Sequence, residues 1–127
     1  MKCERKFLTA IFFFSLMFFY SAHAECQITV SPGKFTIARL KYHGGGDWYS
    51  NPSSIPNLLK FLAQFTNIDA ELREVRVELT DEKLFSYPYL YMNGHGNVRF
   101  SDEEVQILKR YLTTGGFLHA DDNYGMD

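Results

Sequence analysis

Tyr89-Leu90-Tyr91-Met92-Asn93-Gly94-His95-Gly96 decides the fold together with its continuation from Ser101-Asp102-Glu103-Glu104 to Gly115-Gly116-Phe117-Leu118-His119-Ala120-Asp121-Asp122. The unit reads as strand, glycine turn, capped helix, glycine stop and strand. Tyr89 to Met92 is unbroken apolar, the pattern of a central parallel strand covered by helices on both faces. Ser101 and Glu104 have capping-box spacing, each placed to satisfy an amide of the other's turn. Asp102 and Glu103 suit the positive end of the helix dipole. Val105, Leu108 and Leu112 form an apolar stripe widened by Ile107 and Tyr111, and Phe100 is placed to staple onto Val105. The helix is expected to stop at Gly115-Gly116, before a short buried strand from Phe117 to Ala120.

Working back toward the N-terminus, Phe35 to Tyr42 reads as a first strand by its β-branched and aromatic content. The glycine-rich loop His43-Gly44-Gly45-Gly46-Asp47-Trp48 follows. Ile55, Leu58, Leu59, Leu62 and Phe65 recur at helix spacing, with Ser53 or Ser54 as the cap and Asn67 as the end. Val75, Val77 and Leu79 alternate with Arg76 and Glu78, which marks an edge strand with one wet face. The link from Asp81 to Pro88 is short for a parallel crossover and leaves room for a single turn around Leu84 and Phe85. Right-handed crossovers then predict an α/β, three-layer, flavodoxin-like parallel sheet of order 2-1-3-4. Such a sheet ordinarily continues, so the domain reads as incomplete at its C-terminus.

The first 24 residues read as an export signal. Lys2, Arg5 and Lys6 are followed by an apolar stretch from Phe7 to Tyr20 and an Ala22-His23-Ala24 cleavage site. That stretch is about 14 residues, short of the roughly 20 that span a bilayer as a helix. The expected organisation is a signal peptide at 1–24, an extended lead-in at 25–33 and one α/β domain at 34–127. The expected location is the bacterial periplasm or the extracellular space. Contact with a membrane is expected only through an uncleaved leader.

The leader takes Lys2, Arg5, Lys6 and Glu4 with it, leaving ten Lys/Arg against fourteen Asp/Glu. That balance, with no basic cluster, lacks the electrostatic footprint of a nucleic-acid binder. Cys26 then stands alone, so no disulfide is possible within the mature chain.

The switch point of a 2-1-3-4 sheet falls between its first and third strands. It sets Gly44, Gly45, Gly46, Asp47 and Trp48 opposite Asn93, Gly94, His95 and Asn97, with Asp121 and Asp122 completing the lining of the default ligand crevice of such folds. The triple glycine lacks the Lys-Ser/Thr of a P-loop and GxGxxG spacing, so no nucleotide is expected. His95 reads either as an acid–base group or metal ligand, or as a loop histidine with a hydrogen-bonded ring. His119 and Asp121 should share a face, with Asp122 opposite. No three-ligand zinc spacing is present, so no metal or cofactor is expected. His95, His119, Asp121 and Asp122 are the groups that could hold an ion. Arg39 and Lys41 are the cations placed to pair with the aspartates. No GxSxG elbow or suitable Cys provides an acyl-enzyme nucleophile.

Several blocks together carry a family resemblance: Phe35 to Tyr42, Gly45-Gly46-Asp47-Trp48, Asn93-Gly94-His95-Gly96-Asn97, Phe100-Ser101-Asp102-Glu103-Glu104 and Gly116 to Asp127. They resemble the bacterial family called domain of unknown function 4159. The resemblance implies a fold related to class I glutamine amidotransferase-like domains, in exported or membrane-associated proteins, with no activity to transfer. In that fold Asp121 stands about where the nucleophilic Cys would be. Asn93-Gly94-His95 resembles the glycine turn that helps form the oxyanion hole.

Three functional expectations follow. The leading one is a non-catalytic module that binds a small ligand or assembles with an envelope protein. The second is a hydrolase, with or without a metal, acting on cell-envelope or carbohydrate-like substrates through His95 and Asp121 or Asp122. The third is a non-functional fragment.

Overall fold

The computed structural model describes residues 33–126. The expected signal peptide, nearly all of the expected lead-in, and Cys26 lie outside the described residues. Four parallel strands, β1 (Ile37–Leu40), β2 (Val75–Val77), β3 (Tyr89–Gly96) and β4 (Phe117–Met126), pair in the order β2-β1-β3-β4. Helix α1 (Ser54–Phe65) joins β1 to β2, and helix α2 (Asp102–Thr113) joins β3 to β4. A 3₁₀ turn, Leu84–Ser86, spans the short link between β2 and β3. This is the expected α/β architecture, consistent with a flavodoxin-like fold. Among the described residues no helix is long and apolar enough to cross a membrane.

Strand alternation divides the interior in two. Ala38, Leu40, Val75, Val77, Leu90 and Met92 point to one face, where Tyr111, Ile107 and Leu108 of α2 cover them. Ile37 and Tyr91 point to the other, under Ile55 and Leu59 of α1. Each fully buried Leu or Ile contributes about 1.5–3 kcal/mol relative to leaving it in water. The two clusters therefore hold the sheet between its helices.

Both predicted helix stripes are narrower in the structure. Ile55 and Leu59 are buried, but Leu58 and Phe65 are exposed. In α2, Tyr111 is buried while Val105 and Leu112 are exposed. The reason is coverage: each helix meets only a four-stranded sheet, so its flanking apolar positions have no facing layer. The sequence pattern records hydrophobicity but not what lies opposite.

The α2 capping box is present, with Glu104 N–H donating to Ser101 Oγ at 3.2 Å and Ser101 N–H to Glu104 Oε2 at 2.7 Å. The start of α1 differs from expectation. Neither Ser53 nor Ser54 caps it with a side chain. Instead Asn51, in the left-handed region at φ 52°, turns its carbonyl to accept from Ser54 Oγ at 2.8 Å. The helix ends at Phe65, earlier than Asn67.

The largest correction concerns strand length. β3 does not stop at Met92, nor β4 at Ala120, and β4 is mostly exposed rather than buried as expected, because among the described residues no strand pairs with its outer edge. The pairing carries on through Asn93↔Asp121 and Gly94↔Asp122, then shifts register around His95. Glycines permit that irregular continuation because they accept backbone angles closed to other residues. Asp121 and Asp122 are thus strand residues rather than loop residues.

Candidate functional site at the carboxyl ends of the strands

The two glycine loops meet at the switch point by direct hydrogen bonds. Gly46 N–H donates to the Asn97 carbonyl and Asp47 N–H to the His95 carbonyl, both at 3.1 Å, while Arg99 N–H reaches the His43 carbonyl at 2.7 Å. The loops run antiparallel there and close on each other instead of flanking an open cleft. Their glycines make the approach possible. A Cβ on Gly46 would lie 2.9 Å from two backbone oxygens, and one on Gly94 would lie 2.1 Å from Tyr42 Oη.

Asp47 and His95 are the chemical centre of this joint. One Asp47 oxygen accepts the His95 backbone N–H, and the other lies 3.1 Å from His95 Nδ1. The Asp47 carboxyl is held below the ordinary carboxylate range, chiefly by that backbone donor, which outweighs the opposing effect of desolvation, with the His95 ring lowering it further. With Nδ1 directed at Asp47, Nε2 is the ring nitrogen left for an outside group. His95 itself is exposed.

Beneath the joint lies a polar network centred on Arg39 and Asn93. Arg39 is 1% exposed. Its Nε donates to Glu74 Oε2 at 3.0 Å, with Nη2 at 2.9 Å from the same oxygen. The other donors go to the carbonyls of Trp48, Ser50 and Asn51, to Ser54 Oγ, and to Asn93 Oδ1. Asn93, fully buried, returns its amide to Ser50 at 3.1 Å (carbonyl) and 3.0 Å (Oγ). Arg39 therefore ties β1, β2, β3 and the Trp48–Ser54 segment together, and does not pair with Asp121 or Asp122 as the sequence suggested. Lys41 pairs with Glu78 instead, at 3.5 Å. An arginine inside Ile37-Ala38-Arg39-Leu40 was the available signal, since arginine is almost never fully buried without a partner.

The aspartates take other roles. His119 and Asp121 do share the α1 face: Tyr91 Oη donates to Asp121 Oδ2 at 3.0 Å, and Tyr89 Oη bonds to His119 Nδ1 at 3.0 Å. Burial, then the Asp121 carboxylate, pushes the Tyr91 phenol up. Asp122 accepts from the Met126 N–H at 3.0 Å. Asn123 links β4 to the Ser50–Asn51 segment by bonds of 3.0 and 3.1 Å. Trp48 is partly buried, with Lys41 and Arg76 beside its ring.

The structure thus brings Gly44, Gly46, Asp47, Gly94, His95 and Asn97 together. Asp121 and Asp122 stand beside them on β4, while Gly45 lies at the exposed tip. No buried polar side-chain atom among the described residues lacks a partner. No group of three His, Cys, Asp or Glu side chains among them is arranged to hold a metal ion.

The chain has no match among curated proteins. Residues 36–127 match the family described as Domain of unknown function (DUF4159). That match takes in all four strands and both helices, and the chain belongs to this family.

Proposed function

We propose that this chain is an exported, non-catalytic module that binds a small ligand or an envelope component at the carboxyl ends of β3 and β4. One observation carries the reading. The His95 amide, in the turn that an amidotransferase-like site would direct at an oxyanion, is already committed to Asp47. Asp121, at the position expected of a nucleophile, is a carboxylate held by Tyr91. Preorganised donors stabilise developing charge only when they are free to meet it. What stays available to an outside group is an exposed rim of His95, Asp121, Asp122 and Tyr124, which suits recognition.

A second reading, a hydrolase, is favoured by the Asp47–His95 pair. A carboxylate on Nδ1 orients an imidazole whose Nε2 can take a proton. Titrating the ¹⁵N-labelled protein with soluble muropeptides and cell-wall oligosaccharides separates the two. Binding predicts amide shifts confined to the rim, lost in His95→Ala, with the fragments recovered intact. Cleavage that disappears in His95→Ala would replace the binding reading with the hydrolytic one.

A further inference from the structure

Beside Glu74, α1 with the residues just before it and β2 with the segment leading into it line an open groove of about 390 Å³. Pro52, Pro56 and Leu72 form its apolar walls, and Lys60, Arg73 and Arg76 bring positive charge. Glu74 is the carboxylate in it, and both its oxygens are occupied: Oε2 by Arg39 and Oε1 by Arg76 Nε at 3.2 Å. Lys60 and Arg73 form no ion pair among the described residues. Like charges gathered without counter-charge repel one another, so the cluster is more stable with an anion seated in it.

We propose that this groove is a binding site for a phosphate group. Arg39, Lys60, Arg73 and Arg76 set four positive charges against the one negative charge of Glu74, a surplus of about three, which suits a phosphate ester at about −1.5 to −2 near pH 7 better than a single carboxylate. Two guanidinium groups offer the paired, planar donors that phosphate oxygens accept bidentately, and Lys60 adds a point charge. The volume lies in the range of small-ligand sites, and the proline and leucine walls suit the carbon skeleton carrying the phosphate. The source is either a soluble phosphate ester or a lipid headgroup. In the second case Leu58, Phe61 and Phe65, exposed on the helix that carries Lys60 though turned away from the groove itself, offer apolar surface to acyl chains around it. This site is separate from the His95 rim and does not rest on it.

Trp48 is the only tryptophan in the chain, and its ring centre lies 5.9 Å from the Arg76 guanidinium, so its emission reports on the groove. The full chain is titrated with pyrophosphate and glycerol 3-phosphate at constant ionic strength, and separately sedimented with phosphatidylglycerol/phosphatidylcholine vesicles. Lys60→Glu/Arg73→Glu serves as the control, because both positions are exposed and their reversal leaves the core intact. Saturable Trp48 shifts with soluble phosphate, at least tenfold weaker in the double variant, support the site with a soluble source. Vesicle binding reduced at least tenfold in the double variant, and reduced again by Phe61→Ser/Phe65→Ser, supports the lipid source. The site is overturned if wild type and double variant behave alike in both arms, or if acetate at equal ionic strength shifts Trp48 as strongly as phosphate.

Discussion

Arg39 and Glu74 form a buried ion pair, with Nε and Nη2 at 3.0 and 2.9 Å from one carboxylate oxygen, that joins the centre of the sheet to its edge. Burying two charges is costly, and their mutual attraction offsets that cost only when the remaining donors are also satisfied. Here they are, by three loop carbonyls, Ser54 and Asn93. The pair therefore positions the loop segment that leads into α1, and through Asn93 it fixes where β3 turns toward His95.

Removing Arg39 should be the most damaging single change away from the apolar core. Arg39→Ala leaves Glu74 and Asn93 buried without their partner, at a cost of about 3–5 kcal/mol. Glu74→Gln, which keeps an acceptor, should cost less, about 1.5–3 kcal/mol. Urea unfolding of both variants checks the order. An Arg39→Ala protein within about 1 kcal/mol of wild type would contradict the role given to the pair.

Gly46→Ala tests the closed joint between the glycine loops. Its Cβ would meet the Tyr42 ring at 2.8 Å and the His95 and Asn97 carbonyls at 2.9 Å. Neither carbonyl can give way without breaking the ladder, so a loss of about 1–3 kcal/mol is expected. Hydrogen exchange at Asp47 and Arg99 amides should accelerate together. Unchanged protection at both would show that the loops are not zipped in solution.

The Asp47 carboxyl is lower than usual in the folded state, chiefly through the His95 backbone N–H. Its contribution to stability is therefore complete above the unfolded aspartate value of about 3.9 and is lost as pH falls through the lower folded value. The stability gap between wild type and Asp47→Asn should shrink as pH falls below about 4. Chemical denaturation of the two proteins at neutral and acidic pH measures the gap; one that widens in acid contradicts the assigned sign.

Ser101→Ala removes one half of the α2 capping box and should cost about 1 kcal/mol. Because α2 begins where β3 delivers the chain, the loss should appear as faster exchange in its first turn before any change at the β3–β4 ladder. Thermal melts and amide exchange read the two effects separately.

How much of this was legible beforehand differs from element to element. The α2 box, the glycine stop, the wet face of Val75–Val77 and the single turn at Leu84 all carry local signals, so their positions followed from neighbours a few residues apart. The gathering of Gly44–Trp48 with Gly94–Asn97 followed from strand order, yet their closure did not, because a glycine that admits a ligand and one that admits another backbone look alike in sequence. Arg39 shows the opposite case. Its place in an apolar strand announced burial, but its partner Glu74 lies 35 residues away and its loop acceptors are main-chain oxygens, which leave no residue signature.

By itself, the sequence determined the order of strands and helices, the parallel sheet and the end of it where the two glycine loops meet. Periodicity, caps and turn residues are short-range properties, and crossover handedness restricts the rest. Only the tertiary structure decided which polar groups are spent on one another. A hydrogen bond between Arg39 and Asn93, or between Asp47 and His95, depends on distances set by the packing of the whole sheet. That packing turned the open crevice expected between two glycine loops into a closed joint, and left His95 and the β4 aspartates exposed along its edge.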